Sequence, residues 1–278
     1  MSAFGLALAM LAPQDVLGAE LQPRTAGAWE NYVRLTEQRI EGEIGDGRRF
    51  LTTDFLTGGA PQDTRALLRN GQVPIRRMRT PDGNGKEIPA PDGMIHHWVG
   101  GIFVPGVTLD SLLAWLQDYD QHERFFLEVE DSRLLSRTGP EFRIFYRLRR
   151  EKVITVFYNT LHTVVYRQQS PQRASSRSFT TRIAELDHAG EPAESEKPVG
   201  NDRGFLWRLN SYWRFLEADG GVFVECESVS LSRSIPFGLG WLIKGYVESI
   251  PRESLENTLT SIRNGMGKGL GSASAPRR

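Results

Sequence analysis

The side chains best suited to chemistry lie in the last third of the chain, in two segments that alternate apolar and polar residues. These segments, 205–215 and 222–233, flank Asp219-Gly220-Gly221, which predicts a tight hairpin turn. Successive strand residues point to opposite faces, so the turn determines which side chains meet. It predicts that Trp213 lies opposite or near Cys226 and that Arg214 lies near Glu225.

The two faces of this hairpin have different interpretations. On the polar face, Tyr212, Arg214 and Glu225 form either a solvated surface of ion pairs or the polar end of an internal pocket. On the apolar face, Trp213 is either a core residue or a ligand contact. The predicted apolar face consists of Trp207, Leu209, Trp213, Phe215, Val222, Val224 and Cys226.

A second candidate group lies on the predicted strand 153–167. His162 shares one face of this strand with Tyr158 and Tyr166, because it is four positions from each of them. An imidazole can titrate near neutral pH and can act as a hydrogen-bond partner in either charge state. We therefore predict His162 and Tyr158 as pocket residues.

The other histidines and the cysteine indicate structural roles. His96 and His97 are adjacent on a predicted strand and point to opposite faces, which argues against joint binding of one metal ion. His122 lies in the carboxylate-rich segment 118–123, a composition that is common at helix ends. Cys226 is expected to be a small core residue. We predict no catalytic residue, no metal site and no cofactor.

Arginines supply the last candidates for ligand contact. Arg143, Arg147 and Arg149 share one face of a strand with period-two patterning. If that face is turned inward, Arg143 and Arg147 can hold a polar headgroup through paired hydrogen bonds. The alternative is an outward face in contact with solvent.

Charge and the N-terminus bear on partners and location. The chain has 34 basic and 34 acidic side chains, so its zero net charge does not favour nucleic acid as a partner. The apolar run 3–12 and the small residues up to Ala19 resemble a secretory signal and are too short to span a bilayer. Because no basic residue precedes Arg24, a plain N-terminal helix is the alternative. We expect a periplasmic or secreted protein, or otherwise a cytoplasmic one.

The rest of the chain divides into three regions after the predicted signal peptide, 1–19. Residues 20–90 contain a predicted helix over 25–40 and are expected to form a helical extension that packs on the main domain. Residues 91–265 contain a series of strand patterns and end in a helix that starts near 249–251. Residues 266–278 are expected to be a disordered tail. A long sheet with helices on one side is an α+β domain.

This order of elements resembles the helix-grip fold of the START-like superfamily, which includes lipid-transfer domains, pollen-allergen-like proteins and polyketide cyclases. The resemblance covers about residues 90–265. The chain looks most like bacterial members of this superfamily that carry an N-terminal leader. It is carried by the junction GGIFVPGVTLD at 100–110, by LLAWL at 112–116, by YWRF at 212–215 and by PRESLENTL at 251–259.

The resemblance implies a curved antiparallel sheet of about seven strands wrapped around a long C-terminal helix, with an apolar cavity between them. The implied function is to bind or carry a hydrophobic small molecule, such as a lipid, a quinone, a sterol-like or an aromatic compound. A cyclase or aromatase that uses the same cavity and an interaction module with a vestigial cavity are the alternatives. Transient membrane contact is compatible with each, and the oligomeric state is open.

Overall fold

The computed structural model describes residues 19–56, 61–151, 154–234 and 240–273, so the predicted signal peptide lies outside the described residues except for Ala19. The N-terminal region contains two helices, a 3-10 turn and two short strands. These elements are β1 (Ala19–Glu20), α1 (Pro23–Ile44), the 3-10 turn Thr52–Asp54, α2 (Pro61–Arg69) and β2 (Ile75–Arg77).

Seven long strands form the body of the fold. They are β3 (Gly93–Pro105), β4 (Val129–Thr138), β5 (Glu141–Glu151), β6 (Thr155–Ser170), β7 (Arg173–Asp187), β10 (Arg208–Ala218) and β11 (Gly221–Arg233). The short strand β8 (Ser195–Glu196) pairs with β7, and β9 (Asn201–Asp202) pairs with β1. The main antiparallel sheet has nine strands: eight lie in the order β2-β3-β11-β10-β7-β6-β5-β4, and β8 pairs with β7 outside this order.

Two helices and a 3-10 turn complete the main domain. They are α3 (Leu109–Leu116), the 3-10 turn Tyr119–Arg124 and α4 (Gly240–Ala273). Thr108 caps α3 as its residue type predicts, because its Oγ1 accepts a hydrogen bond from the Ser111 amide at 3.3 Å. None of the described helices combines the length and the hydropathy needed to span a membrane.

The last helix is longer than the sequence pattern predicts. It begins at Gly240, ahead of the expected start near Pro251, and continues to Ala273, past the predicted start of the tail at residue 266. Pro251 lies inside the helix, where it lacks the amide hydrogen of an ordinary helix residue. The predicted start of this helix near Pro251 is therefore wrong. Residues 274–278 lie outside the described part of the chain.

We call the sheet face covered by α4 the inner face. Leu255, Leu259 and Ile262 of α4 are buried against it together with Ile102 and Val224. α4 approaches β3 closely at one glycine: a Cβ atom on Gly100 would lie 2.9 Å from Leu259 Cδ1. The predicted helix-grip arrangement of a sheet and a C-terminal helix is therefore present, and the α+β class is confirmed.

The opposite, outer face of the sheet is covered as well. Trp29, Tyr32 and Ile40 of α1 pack against Val229 and Leu231 of β11. The expectation that helices stay on one side of the sheet is therefore wrong, although the predicted packing of the N-terminal extension on the main domain is observed. Alternating apolar residues on both faces of β11 account for this, since each face needs a cover.

The hairpin of β10 and β11 has the predicted register. Asp219 and Gly220 adopt positive φ angles of 57° and 75°, as a two-residue turn of type I′ requires. Trp213 consequently pairs with Cys226, and Arg214 pairs with Glu225. Trp207 departs from its predicted apolar face. It lies just before β10 and packs with the α1 cluster on the outer side.

Candidate functional site

The centre of the inner face is lined by small polar side chains. Ser178 of β7, Ser211 of β10 and Ser228 of β11 lie in one row, because the strand register pairs them directly. Trp98 of β3 ends this serine row opposite Ser228. All four side chains are only half-buried, although they belong to central strands. A close-packed core would bury them fully, and we infer from their exposure that the serine row borders a space beneath the inner-side helices.

Larger aromatic side chains border the same space. Trp213 and Tyr166 lie on the inner face beside the serine row, and each keeps part of its surface accessible. The Trp213 ring stacks on Phe215 with centroids 6.3 Å apart, and its Nε1 donates to Ser211 Oγ at 3.1 Å. Burial raises the pKa of Tyr166 to about 12. Tyr166 lines a pocket of about 310 Å³ together with Leu113, Phe142 and Ala174.

Four polar side chains form a connected group on the wall of this space. His122 Nδ1 lies 2.6 Å from the Tyr146 hydroxyl, and His122 Nε2 lies 3.1 Å from the carbonyl oxygen of Leu116. His162 Nε2 lies 2.9 Å from Thr160 Oγ1. The rings of Tyr146 and His162 meet edge to face with centroids 5.4 Å apart. We call His122, Tyr146, Thr160 and His162 the inner polar cluster.

Burial keeps the inner polar cluster uncharged at neutral pH. It lowers the pKa of His162 to about 4, and it lowers that of His122 to about 4 against the opposing effect of the Leu116 carbonyl. It also raises the pKa of Tyr146 well above its ordinary value. The cluster can therefore form neutral hydrogen bonds with a ligand, but it offers no charge.

Three of the residues selected from the sequence lie on the inner face. His162 belongs to the inner polar cluster, and Trp213 borders the space. Tyr158 lies on the same face and is buried among apolar side chains that include Val156 and Ile183, and this burial raises its pKa well above the ordinary value. Sequence reasoning did not select Tyr146, although the alternation along β5 places its side chain on the face opposite to that of Arg147.

His122 also belongs to the inner polar cluster, and no sequence signal identified it as a partner of Tyr146. It lies on the 3-10 turn between α3 and β4, and only folding brings that turn against β5. The carboxylates near His122 were interpreted as typical of a helix end. Among the described residues, no group of three His, Cys, Asp or Glu side chains is arranged to hold a metal ion.

Arg143 and Arg147 lie on the outer face, as the solvent-facing interpretation predicts. Arg143 is exposed. Arg147 pairs with Glu194 at 2.7 Å and with Glu130 at 3.5 Å. Neither arginine reaches the inner face, so the interpretation in which an inward arginine holds a ligand headgroup does not fit this geometry.

Arg214 lies in a buried layer of charged groups between the outer face and α1. Its guanidinium donates to Glu43 at 2.5 Å and to the carbonyl oxygen of Phe50 at 2.9 Å. Only 2% of Arg214 is exposed. Its ion-pair partner is Glu43 of α1, although the strand register places it opposite Glu225. We call Arg39, Glu43, Arg214, Glu225 and Glu227 the buried charge layer.

Glu225 and Tyr212 lie under the same N-terminal cover. Glu225 is 1% exposed and accepts a hydrogen bond from the hydroxyl of Thr53. Tyr212 donates its hydroxyl hydrogen to Glu37 of α1 at 3.0 Å. Tyr212, Arg214 and Glu225 therefore form neither a solvated surface nor the polar end of an inner pocket. These three residues are buried because α1 packs over them, and the alternation within one hairpin does not predict where α1 packs.

His97 joins the buried charge layer from β3. Its Nε2 lies 2.7 Å from Glu227, and its Nδ1 lies 2.8 Å from the Tyr32 hydroxyl of α1. His96 points to the inner face instead, where its Nε2 lies 2.9 Å from Ser232 Oγ. The predicted opposite orientation of the two histidines is confirmed.

Glu225 makes the stability of the fold depend on pH. Burial raises its pKa to about 7, against the opposing effects of Thr53 and Arg214, whereas a glutamate in an unfolded chain has a pKa of about 4.3. The folded protein therefore keeps a proton that the unfolded chain releases. This stabilisation is complete below pH 4.3 and is lost as the pH rises through 7. We expect wild type to lose on the order of 1–3 kcal/mol relative to Glu225→Gln between pH 5 and pH 8.

Urea unfolding of both proteins at each pH measures this difference, since glutamine cannot titrate. Glu151→Gln, which removes an exposed carboxylate at the end of β5, is the matched control and is expected to run parallel to wild type. A wild-type curve parallel to that of Glu225→Gln would show that Glu225 is ionised in the folded protein across this range.

A second cavity of about 580 Å³ lies between α1 and the outer face of β6, β7 and β10. Its charged side chains pair with one another: Arg177 with Glu37 at 3.1 Å, and Arg167 with Glu41 at 3.0 Å. These pairs join α1 to the sheet. The inner face, with its half-buried serine row and its uncharged polar cluster, is the stronger candidate for a ligand site.

Comparison with known proteins gives structural similarities only. No family model matches the chain, and no similar sequence is found among curated proteins. Human StAR-related lipid transfer protein 5 superposes with a TM-score of 0.49 at 13% identity, over 88% of this chain and 98% of that chain. A STAR-related lipid transfer protein from Xanthomonas axonopodis gives a TM-score of 0.44 at 16% identity, over 69% of this chain and 97% of that one.

An aromatase/cyclase, Zhui from Streptomyces sp. R1128, is also similar, with a TM-score of 0.42 at 10% identity over 66% of this chain and 99% of that chain. At these identities no residue role transfers from one protein to another. In overall structure, the chain is similar to START-related lipid-transfer proteins and to aromatase/cyclases.

Proposed function

We propose that this protein binds a hydrophobic small molecule between the inner face of the sheet and the helices on that side. The observation that carries the proposal is the serine row, Ser178, Ser211 and Ser228, which stays half-accessible in the centre of the sheet. Apolar walls with a few convergent polar groups are typical of small-molecule sites. A lipid, a quinone, a sterol-like or an aromatic compound fits this composition.

The proposed contacts follow from the same geometry. Trp213 supplies an aromatic wall, and His162 supplies a buried polar group. Tyr158 lies at one end of the inner face. Arg143, Arg147, Tyr212, Arg214 and Glu225 have no part in the proposed site, because they lie on the outer face.

Filling the serine row tests the proposal. We expect Ser178→Leu to weaken binding of the neutral dye Nile red at least tenfold, because the added side chain occupies the space that the ligand needs. The readout is dye fluorescence in a titration. Thr181→Leu, an equivalent change at an exposed position of the same strand, is the matched control and is expected to bind the dye as wild type does.

Native mass spectrometry after mild purification supplies the second readout, since a resident ligand adds a discrete mass to the folded protein. Equal dye affinity in wild type, Ser178→Leu and Thr181→Leu, together with a ligand-free mass, would contradict the proposal. An interaction module with a vestigial cavity would then be the better interpretation.

An enzyme of the cyclase or aromatase type is the second candidate, and the His122–Tyr146 contact at 2.6 Å favours it. A phenol hydrogen-bonded to a neutral imidazole can exchange a proton with a bound substrate. Comparing the mass of the recovered ligand before and after incubation with wild type and with Tyr146→Phe tests this candidate. A ligand mass that never changes supports the carrier instead.

Export to the periplasm or the medium is proposed from the apolar run 3–12 and the following small residues. Cell fractionation with N-terminal sequencing of the purified protein tests it. An intact Met1 in the cytoplasmic fraction would support the alternative location.

A further inference from the structure

The hydrogen-bond polarity of the inner polar cluster can be worked out atom by atom. A backbone carbonyl only accepts hydrogen bonds, so the contact at 3.1 Å between Leu116 O and His122 Nε2 places the imidazole hydrogen on Nε2. His122 Nδ1 is then an acceptor. The hydrogen in its contact at 2.6 Å with Tyr146 must therefore come from the tyrosine hydroxyl.

The same reasoning applies to His162. Thr160 Oγ1 donates its single hydrogen to the backbone carbonyl of Tyr146 at 3.1 Å. Thr160 Oγ1 must therefore accept in its contact at 2.9 Å with His162, so that the imidazole hydrogen lies on Nε2. Because burial keeps this ring neutral at pH 7, His162 Nδ1 carries a lone pair and no hydrogen.

Two acceptor atoms remain without a donor. Among the described residues nothing donates a hydrogen bond to Tyr146 Oη or to His162 Nδ1, and the two rings lie 5.4 Å apart. His162 is only 7% exposed as a residue, but its Nδ1 is not fully enclosed by protein, so a ligand beside it can reach this atom. A polar atom that is largely shielded from water and has no partner costs free energy, and a ligand that supplies the missing hydrogen recovers it.

We propose that these two acceptors share the single hydrogen of the hydroxyl group of a neutral alcohol or phenol in a three-centre hydrogen bond, and that the apolar body of this ligand lies along the serine row. This inference rests on the proposed binding function and specifies its ligand class. An ether or a ketone has no hydrogen to donate. A carboxylate would bring a negative charge against two lone pairs, in a region without a cation to offset it among the members of the cluster.

The neighbouring polar groups do not change this polarity. Serine hydroxyls both donate and accept, so the serine row accommodates either type of ligand. The hydroxyls of Tyr119 and Tyr166 form a hydrogen bond of 3.0 Å with each other, and one of their two hydrogens remains available for another acceptor. Tyr166 lies four residues along β6 from His162. That tyrosine pair is a separate contact point for a second group on the ligand.

Matched ligands with one apolar body test the proposal. The first set is 2-naphthol, 2-methoxynaphthalene and 2-naphthoate; the second is 1-dodecanol, its methyl ether and dodecanoate. We expect the hydroxyl member of a set to displace Nile red at least tenfold more tightly than its ether and its carboxylate. In Tyr146→Phe and in His162→Phe this preference is expected to fall to threefold or less, while the affinity for the ether stays within twofold of wild type.

Tyr212→Phe is the matched control, because it removes a tyrosine hydroxyl on the outer face. It is expected to keep the full preference, and circular dichroism checks that each variant is folded. Equal affinities within each set, or a tighter carboxylate, would overturn the inference while leaving the binding function intact. If no member of either set displaces the dye and the dye itself does not bind, the proposed function fails, and the inference fails with it.

Discussion

Truncation of the chain before Pro251 is expected to abolish the soluble native fold. The deletion removes four buried side chains of α4, namely Leu255, Leu259, Ile262 and Met266. Burying a side chain of this size contributes about 1.5–3 kcal/mol, so the four together contribute about 6–12 kcal/mol. Domains of this kind are stable by only about 5–15 kcal/mol. The loss also exposes the apolar inner face, which favours aggregation.

Size-exclusion chromatography and circular dichroism measure this outcome. Truncation after Ala273 removes none of the described residues and is the matched control, expected to remain folded. Leu259→Ala is the milder companion, with an expected loss of about 2–5 kcal/mol at a fully buried position, against little change for Asn264→Ala at an exposed one. A soluble, native-like protein after truncation before Pro251 would refute the packing of α4 on the inner face.

The second large effect is expected at Arg214, on the other side of the sheet. Arg214→Met leaves Glu43 with Arg39 as its remaining partner, removes a charge that favours ionisation of Glu225, and leaves the Phe50 carbonyl without its donor. Breaking a buried ion pair by removing one member typically costs about 3–5 kcal/mol. We expect a loss of that size in the free energy of unfolding, measured in urea.

Two further variants make this experiment specific. Arg177→Met removes an exposed outer-face arginine that pairs with Glu37 at 3.1 Å, and it is expected to cost about 0–1 kcal/mol. Adding Glu43→Gln to Arg214→Met removes the carboxylate that has lost one of its two arginine partners and is expected to recover part of the loss. A change below about 0.5 kcal/mol for Arg214→Met would show that the buried charge layer contributes little to stability. Nile red affinity should not change in any of these variants, because the inner face is untouched.

Alternation along the chain predicted much of the sheet. The seven long strands, the Asp219-Gly220 turn and the opposed pair Trp213 and Cys226 all follow from residue patterns a few positions long. Local chemistry also predicted the Thr108 cap and the opposite orientations of His96 and His97. These features depend on neighbours in sequence or on one hairpin, so short-range rules determine them.

Local patterns gave wrong predictions where a segment distant in the sequence covers a face of the sheet. Period-two spacing assigned Tyr212, Arg214 and Glu225 to one face, but it could not predict that α1 covers that face. The α1 residue that contacts Arg214 lies more than 150 residues earlier in the chain. Trp207 was misassigned for the same reason, since it packs on α1 from outside the strand.

Residue patterns alone predict a long antiparallel sheet, the residues that share each strand face, and a C-terminal helix that must bury an apolar stripe. Long-range packing decides which face α4 covers, that α1 buries charged residues on the other face, and that His122 contacts Tyr146 across 24 residues. A strand's alternation is a property of its own backbone, whereas the cover over each face depends on the packing of segments far apart in the chain.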